Sequence, residues 1–290
     1  MKTTTRYTTT MLTLALLLTL GGCVKDELHD TPHPDTGKIT VTADWTDRGE
    51  GVNIPASWHI VMGDYTGTET GATHSPDYLF NPGSYTLAVY NPADGITVSG
   101  TTATVATADG SFITGIPGWL FTSVQEVAIE ADTDYELTAV MRQQVRELTL
   151  VIKPAGDAAD RIESIEGTLS GAAGTLDFAT GTHGTPSEVE LHFTKITEGD
   201  DAGKWMATVR LLGIAGDAQR LTATLTYTDG NPQPTSLNSD LTSALNSFND
   251  GKTAPLTLGG TLAETPGEAG FTSEITDWET VDGGGVDAEM

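Results

Sequence analysis

The chain is poor in cysteine: Cys23 is the single one in 290 residues. No intramolecular disulfide can form, so the folded part must draw its stability from a packed core. Basic residues are also scarce, with 14 Lys and Arg against 40 Asp and Glu and a formal charge of −26. Such a surface repels nucleic acid and anionic headgroups, whose binding depends on neutralising phosphates, so no nucleic-acid partner is expected. The acidic balance reads instead as solubility at a cell surface. No apolar stretch approaches the roughly 20 residues that a membrane-spanning helix needs. Catalytic and ligand-binding signatures are missing too: there is no His-Glu-x-x-His pair, no Gly-x-Ser-x-Gly elbow, no phosphate loop and no calcium loop. His29 and His33 fall near the N-terminus, and His59, His74, His183 and His192 show no pair at metal-ligand spacing. The chain is therefore expected to be no enzyme and to hold no metal or cofactor.

What is present begins with a targeting segment. Lys2 and Arg6 precede the apolar run Met11 to Leu20, interrupted only by Thr13 and Thr19. A run of about ten residues suits the core of a signal peptide. It ends in Leu20-Gly21-Gly22-Cys23, which resembles the bacterial lipobox. Cleavage is expected between Gly22 and Cys23, with lipid attached to the Cys23 thiol, so that residues 1–22 are removed. Lys2 and Arg6 leave with them, so 14 basic residues become 12 against 40 acidic and the charge falls from −26 to −28. The sole cysteine thus has a use, where an odd thiol in an exported protein would otherwise be unexplained. Lys25-Asp26-Glu27 resembles the Lys-then-acidic signal that sends lipoproteins of the Bacteroidales to the outer face of the outer membrane. A solvated tether is the alternative reading of that tripeptide. Residues 23–37, polar and holding Pro32 and Pro34, read as a lipidated flexible stalk.

Beyond the stalk the pattern is short runs of alternating apolar and polar residues, the signature of half-buried strands. Ile39, Val41, Ala43 and Trp45 alternate, as do Trp58, Ile60 and Met62, and Tyr85, Leu87 and Val89. Turn chemistry separates them at Asn81-Pro82-Gly83, Asp94-Gly95 and Asp109-Gly110. A second set starts with Leu148, Leu150 and Ile152 and continues around 162–169, 189–196, 205–211 and 221–227. The fold class that follows is all-β, with one β-sandwich over 38–143 and a second over 144–280. The split falls near Gln143-Gln144, and residues 281–290 form a Gly-rich acidic tail expected to be disordered. Asp157 to Arg161 could form one helical turn capped by Asp157. Leu237, Leu241, Leu245 and Phe248 fall at helical spacing, with Ser236 to cap and Gly251 to terminate, so a short helix is expected there.

Two constellations invite functional readings. Asp200-Asp201 and the group Asp132, Asp134 and Glu136 could be cast as glycosidase carboxylates, but charged turns explain them better in so acidic a chain. Trp45, Trp58 and Trp205 share the apolar phase of their strands and are expected in the core. Trp119, after Pro117-Gly118, is left open, as a packed residue or a platform for sugar.

The order of features resembles the FimB-type fimbrial anchor lipoproteins, or minor fimbrillins, of the Bacteroidales. The residues that carry the likeness are the lipobox, Lys38-Ile39-Thr40-Val41, Pro82 to Tyr85 running on to Tyr90-Asn91, a long strand ending in Arg142, Leu241 with Phe248, and Ile275-Thr276-Asp277-Trp278. The resemblance implies two transthyretin-like β-sandwiches in tandem, attachment to the outer membrane through covalent lipid, and a place at the base of a fimbrium. Only Cys23 carries over as a functional residue. It also implies fimbrial shaft or accessory subunits as partners, joined by strand addition, in which backbone hydrogen bonds give strength and side-chain pockets give specificity. Such a joint needs an open sheet edge. The closing strand, Phe271 to Trp278, is the candidate, although a terminal strand ordinarily completes its own sheet. A glycan-binding surface lipoprotein serving carbohydrate uptake is the alternative function.

Overall fold

The computed structural model describes residues 35–281 apart from 157–158, 231, 268–269 and 276. The first half runs as strands β1 (Lys38–Asp44), β2 (Trp58–Met62), β3 (Tyr65–Glu69), β4 (Thr73–His74), β5 (Gly83–Tyr90), β6 (Ile96–Ser99), β7 (Thr102–Val105), β8 (Thr107–Ala108), β9 (Phe112–Ile113), β10 (Phe121–Ile129), β11 (Asp134–Val140) and β12 (Arg142–Gln143). The second continues with β13 (Arg146–Ala155), β14 (Ile162–Asp177), β15 (Thr182–Lys195), β16 (Trp205–Leu211), β17 (Arg220–Tyr227), β18 (Thr235–Asp240), β19 (Leu256–Gly267), β20 (Gly270–Glu274) and β21 (Glu279–Thr280). The architecture is all-β, and the side chains gather into two cores.

The first core lies between a sheet ordered β11-β1-β4 and one ordered β12-β10-β5-β2-β3. Alternation places Ile39, Val41 and Ala43 of β1 inward, facing Trp58, Ile60 and Met62 of β2 and Leu87 and Val89 of β5. Ile39, Val41 and Ile60 are wholly buried, and each such side chain contributes roughly 1.5–3 kcal/mol to folding. β1 runs parallel to β11, from Lys38 opposite Asp134 to Asp44 opposite Val140. The N-terminal strand is thereby held by a partner almost 100 residues away in sequence.

In the second unit the ladder β14-β17-β18-β20-β19-β13-β16-β15 returns to its start, because β15 also pairs with β14. This closes the sandwich at both sides and removes open edges from that ring. β20 sits between β19 and β18, so the closing strand is not the free edge for which it was the candidate. Its strand also stops at Glu274, short of Trp278.

Two further expectations need correction. Residues 96–113, placed by sequence in the first sandwich, pair with the second: β7 runs beside β14 and β9 beside β15. Ala103, Val105, Ile113 and Leu120 accordingly belong to the second core. Alternation reveals that a strand has one buried face, but not which sheet buries it. The helix expected from Leu237 is also absent. Ser236 and Leu237 lie inside β18, which pairs with β17 over its whole length. Leu241, Leu245 and Phe248 follow in a chain of turns, with Leu245 N–H donating to Leu241 O and Phe248 N–H to Leu245 O, both at 2.9 Å. Strand pairing wins because the spacing of four between Leu237 and Leu241 is even, and so satisfies a period of two as well as one of 3.6. Gly251 does take the left-handed conformation, at φ 60°, ending the turns and not a helix. Ala159–Arg161 is a single 3-10 turn, and its proposed cap, Asp157, is outside the described residues.

Candidate functional site

The residues singled out for lipidation and export, Gly22, Cys23, Lys25, Asp26 and Glu27, lie outside the described residues. Within them, the notable feature is a cleft of about 820 Å³ between the two units. Its walls are the start of β10 (Thr122–Gln125) and the end of β11 with Arg142; its floor is Phe178–Gly181, His183 and the turn Gly251–Thr253.

The cleft is held open by polar residues at the junction that the sequence marks only as a split. Gln143 is buried, and its Oε1 accepts Gly49 N–H at 2.9 Å while its Nε2 donates to Val145 O at 2.9 Å and Lys252 O at 2.7 Å. One amide thus ties both units together. Gln144 donates from Nε2 to Thr122 Oγ1 at 2.8 Å and accepts from Lys252 Nζ at 3.1 Å. Asn91 does the same work where the chain crosses to the second core and returns: its Oδ1 accepts Phe121 N–H at 2.6 Å, and its Nδ2 donates to Pro92 O and Trp119 O at 2.8 Å. Arg146, also buried, sends Nη1 to Ser247 O, Phe248 O and Asp250 O and Nε to Ala254 O. Its guanidinium lies 5.2 Å from the centre of the Phe248 ring. These carbonyls belong to turns, which leave acceptors without ladder partners, and the fork geometry of arginine serves several at once.

Lys252 stands out electrostatically. Its ammonium has two neutral partners, Gln144 Oε1 and His183 Nε2, the latter at 3.2 Å. Burial pushes its pKa down to about 8, and the difference from an ordinary lysine corresponds to about 3 kcal/mol against the charged form. His183 is lowered to about 4, first by burial and then by the Lys252 charge, with backbone hydrogen bonds to Leu212 and Gly181 opposing. It is neutral at pH 7, and its Nε2 accepts a hydrogen bond from the Lys252 ammonium. Gly213 permits this arrangement, since a Cβ there would stand 2.3 Å from His183 Cδ2.

The linkage has a defined sign. Between about 8 and 10.5 the unfolded chain binds the Lys252 proton and the folded chain does not, so stability rises with pH across that window and the cost is fully present below it. The melting temperature of the protein is expected to climb from pH 7.5 to 9.5, and Lys252→Met is expected to flatten that climb. A thermal melt series at four or five pH values checks it; an equal climb in the variant would acquit Lys252.

The aromatic and acidic candidates resolve differently. Trp45, Trp58 and Trp205 are buried as expected. Trp119 packs against both cores and lies under the Arg210 guanidinium, 5.1 Å from its ring centre. The face a sugar would need is taken. Trp278 donates from Nε1 to Ser239 Oγ at 2.8 Å. Asp132 occupies a left-handed turn position between β10 and β11, and Asp201 pairs with Lys204. Among the described residues no group of three or more His, Cys, Asp or Glu could hold a metal ion. Lys252, His183 and Arg146 were missed in sequence. The one available signal was scarcity, since with 14 basic residues in the chain each cation away from the surface carries information.

Two β-sandwiches in tandem, joined across a polar cleft, form a fold that recurs in solved structures. A candidate adhesin of Bacteroides ovatus is 16% identical with a TM-score of 0.56, covering 90% of this chain and 99% of its own. The fimbrial anchor protein Mfa2 of Porphyromonas gingivalis is 14% identical with a TM-score of 0.56, covering 84% of this chain and 97% of its own. A candidate polysaccharide-binding protein of Bacteroides thetaiotaomicron is 10% identical with a TM-score of 0.52, covering 84% and 98%. These likenesses concern the fold. The chain belongs to the family of fimbrillin-A associated anchor proteins Mfa1 and Mfa2, whose model matches residues 62–283. That family is fimbrial and not enzymatic in kind. No curated protein matches the chain.

Proposed function

We propose that this chain is an outer-membrane lipoprotein that anchors or helps assemble a fimbrium at its base. The observation that carries the reading is membership of the anchor family over residues 62–283. The placement of Cys23 after Leu20-Gly21-Gly22 supports the lipid half of the reading, because acylation needs a thiol behind small residues. Its partners are fimbrial shaft or accessory subunits, joined by strand addition. The two cores, tied through Gln143 and Gln144 at their junction, would stand between lipid and shaft.

Deleting the gene tests the role. Detached or abnormally long fibres with sugar uptake intact are the expected result; normal fibres with impaired growth on a glycan would overturn it in favour of carbohydrate capture. Orientation is tested separately. Replacing Lys25, Asp26 and Glu27 by alanine is expected to leave the protein lipidated but facing the periplasm, so that protease added to intact cells no longer digests it. Digestion equal to that of the parent would reduce the tripeptide to a tether.

A further inference from the structure

β10 is nine residues long and pairs with β5 from Thr122 to Ile129, yet its other edge meets β12 only at Phe121 and Thr122. The direction of the remaining backbone groups follows from alternation. Phe121 O accepts Asn91 N–H, so Phe121 turns toward β5, and Thr122, Val124, Glu126 and Ala128 turn their N–H and C=O groups away from it. Leu120 O accepts Gln144 N–H, which fixes the same phase from the other side. Thr122 is met by Arg142 of β12; among the described residues Val124, Glu126 and Ala128 pair with no strand on this side, and the crossing to β11 is made by a side chain, Gln125 Nε2 donating to Thr138 O at 3.5 Å. β11, across this gap, pairs only with β1. The row that β12 begins is therefore vacant for about five residues at the strand repeat.

The vacant row opens into the cleft, and the cleft is cationic where the rest of the chain is acidic. Arg142 and Lys252 line it against Asp47. Lys252 stands close to the end of the paired stretch, since Gln144 bonds both its ammonium and Thr122. No carboxylate lies within ion-pair distance of that ammonium among the described residues. Unpaired main-chain groups at the strand repeat suit another main chain, where a sugar ring could not follow them.

We infer that the free edge of β10 and the cleft behind it receive an extended acidic segment of a neighbouring fimbrial subunit, whose carboxylate pairs with Lys252. The inference rests on the reading of the chain as a fimbrial assembly subunit and names the place of the joint. The incoming strand continues the row of β12, and its carboxylate replaces neutral partners around a half-buried ammonium with a charged one.

The test uses the full mature chain in detergent and two fluorescent synthetic peptides: eight residues alternating valine and threonine with a glutamate in the middle, and the same peptide with glutamine there. The glutamate peptide is expected to bind roughly tenfold tighter than the glutamine one at low salt, and Lys252→Met to erase the difference. Val124→Pro removes an outward N–H at an edge position, which sheets tolerate, and is expected to weaken both peptides about tenfold with an unchanged melting temperature. Ala128→Pro, on the same phase, gives an independent second loss. Equal binding of the two peptides, or no binding, overturns the inference. So does displacement by an oligogalacturonate with both proline variants indifferent, which would assign the cleft to acidic glycan. Binding that appears only when the chain is ended at Val281 would assign it to the chain's own residues 282–290. None of these measurements involves fibres, so the gene deletion can fail while this test succeeds, and the reverse.

Discussion

Cys23→Ala is expected to leave the signal segment uncleaved by the lipoprotein peptidase and to abolish incorporation of labelled fatty acid. On the proposed reading the thiol is the acceptor for the acyl group, and no second cysteine in the chain can replace it. The effect should be close to complete because attachment strength scales at about 0.8 kcal/mol per buried methylene, and one chain alone gives only marginal binding while two hold stably. The surface offers no substitute, since 40 acidic residues against 14 basic give anionic headgroups nothing to attract. Fatty-acid labelling followed by membrane fractionation checks it. Normal membrane retention together with undiminished fatty-acid incorporation in the variant would refute lipid attachment at this residue.

Arg146→Met is expected to destabilise the folded chain by about 4 kcal/mol, lowering the melting temperature by about 10 °C. Arg146 is 9% exposed, and it satisfies the carbonyls of Ser247, Phe248, Asp250 and Ala254. Methionine fills a comparable volume but leaves those acceptors without the charged donor, and buried carbonyls deprived of partners account for most of the loss. Arg146→Lys keeps the charge without the planar fork, so its loss should lie between parent and methionine variant. Chemical denaturation of the three proteins checks the order. If lysine and methionine cost the same, geometry and not charge is what the turns require.

Individual strands were legible because their cause is local. Ile39, Val41 and Ala43, or Trp58, Ile60 and Met62, alternate because each strand has one buried face, and that pattern needs no knowledge of the partner. The turns at Asp109-Gly110 and Gly251 were legible for a similar reason, as left-handed positions favour those residue types. Pairing was not legible. The destination of β7 and β9 depends on β14 and β15, some 70 residues further on, and alternation is the same whichever sheet accepts them. The misread helix around Leu241 and Phe248 has the same origin, since an apolar spacing of four fits both periods and only the ladder between β17 and β18 decides between them.

The cleft was still less visible. Gln143, Gln144, His183 and Lys252 come from segments up to about 109 residues apart, and none carries a local motif. The amino-acid sequence by itself determined the absence of an intramolecular disulfide, the acidic balance and the all-β class, and it alone carries the proposed export signal and lipid site, because each depends on residue type or on short-range periodicity. The tertiary structure alone decided which strands share a core, that the second unit closes its own edges, and that, among the described residues, β10 keeps an unpaired edge and a half-buried lysine has no carboxylate beside it. Those outcomes depend on long-range pairing, where hydrogen-bond registry and burial select one arrangement among many that the same local pattern allows.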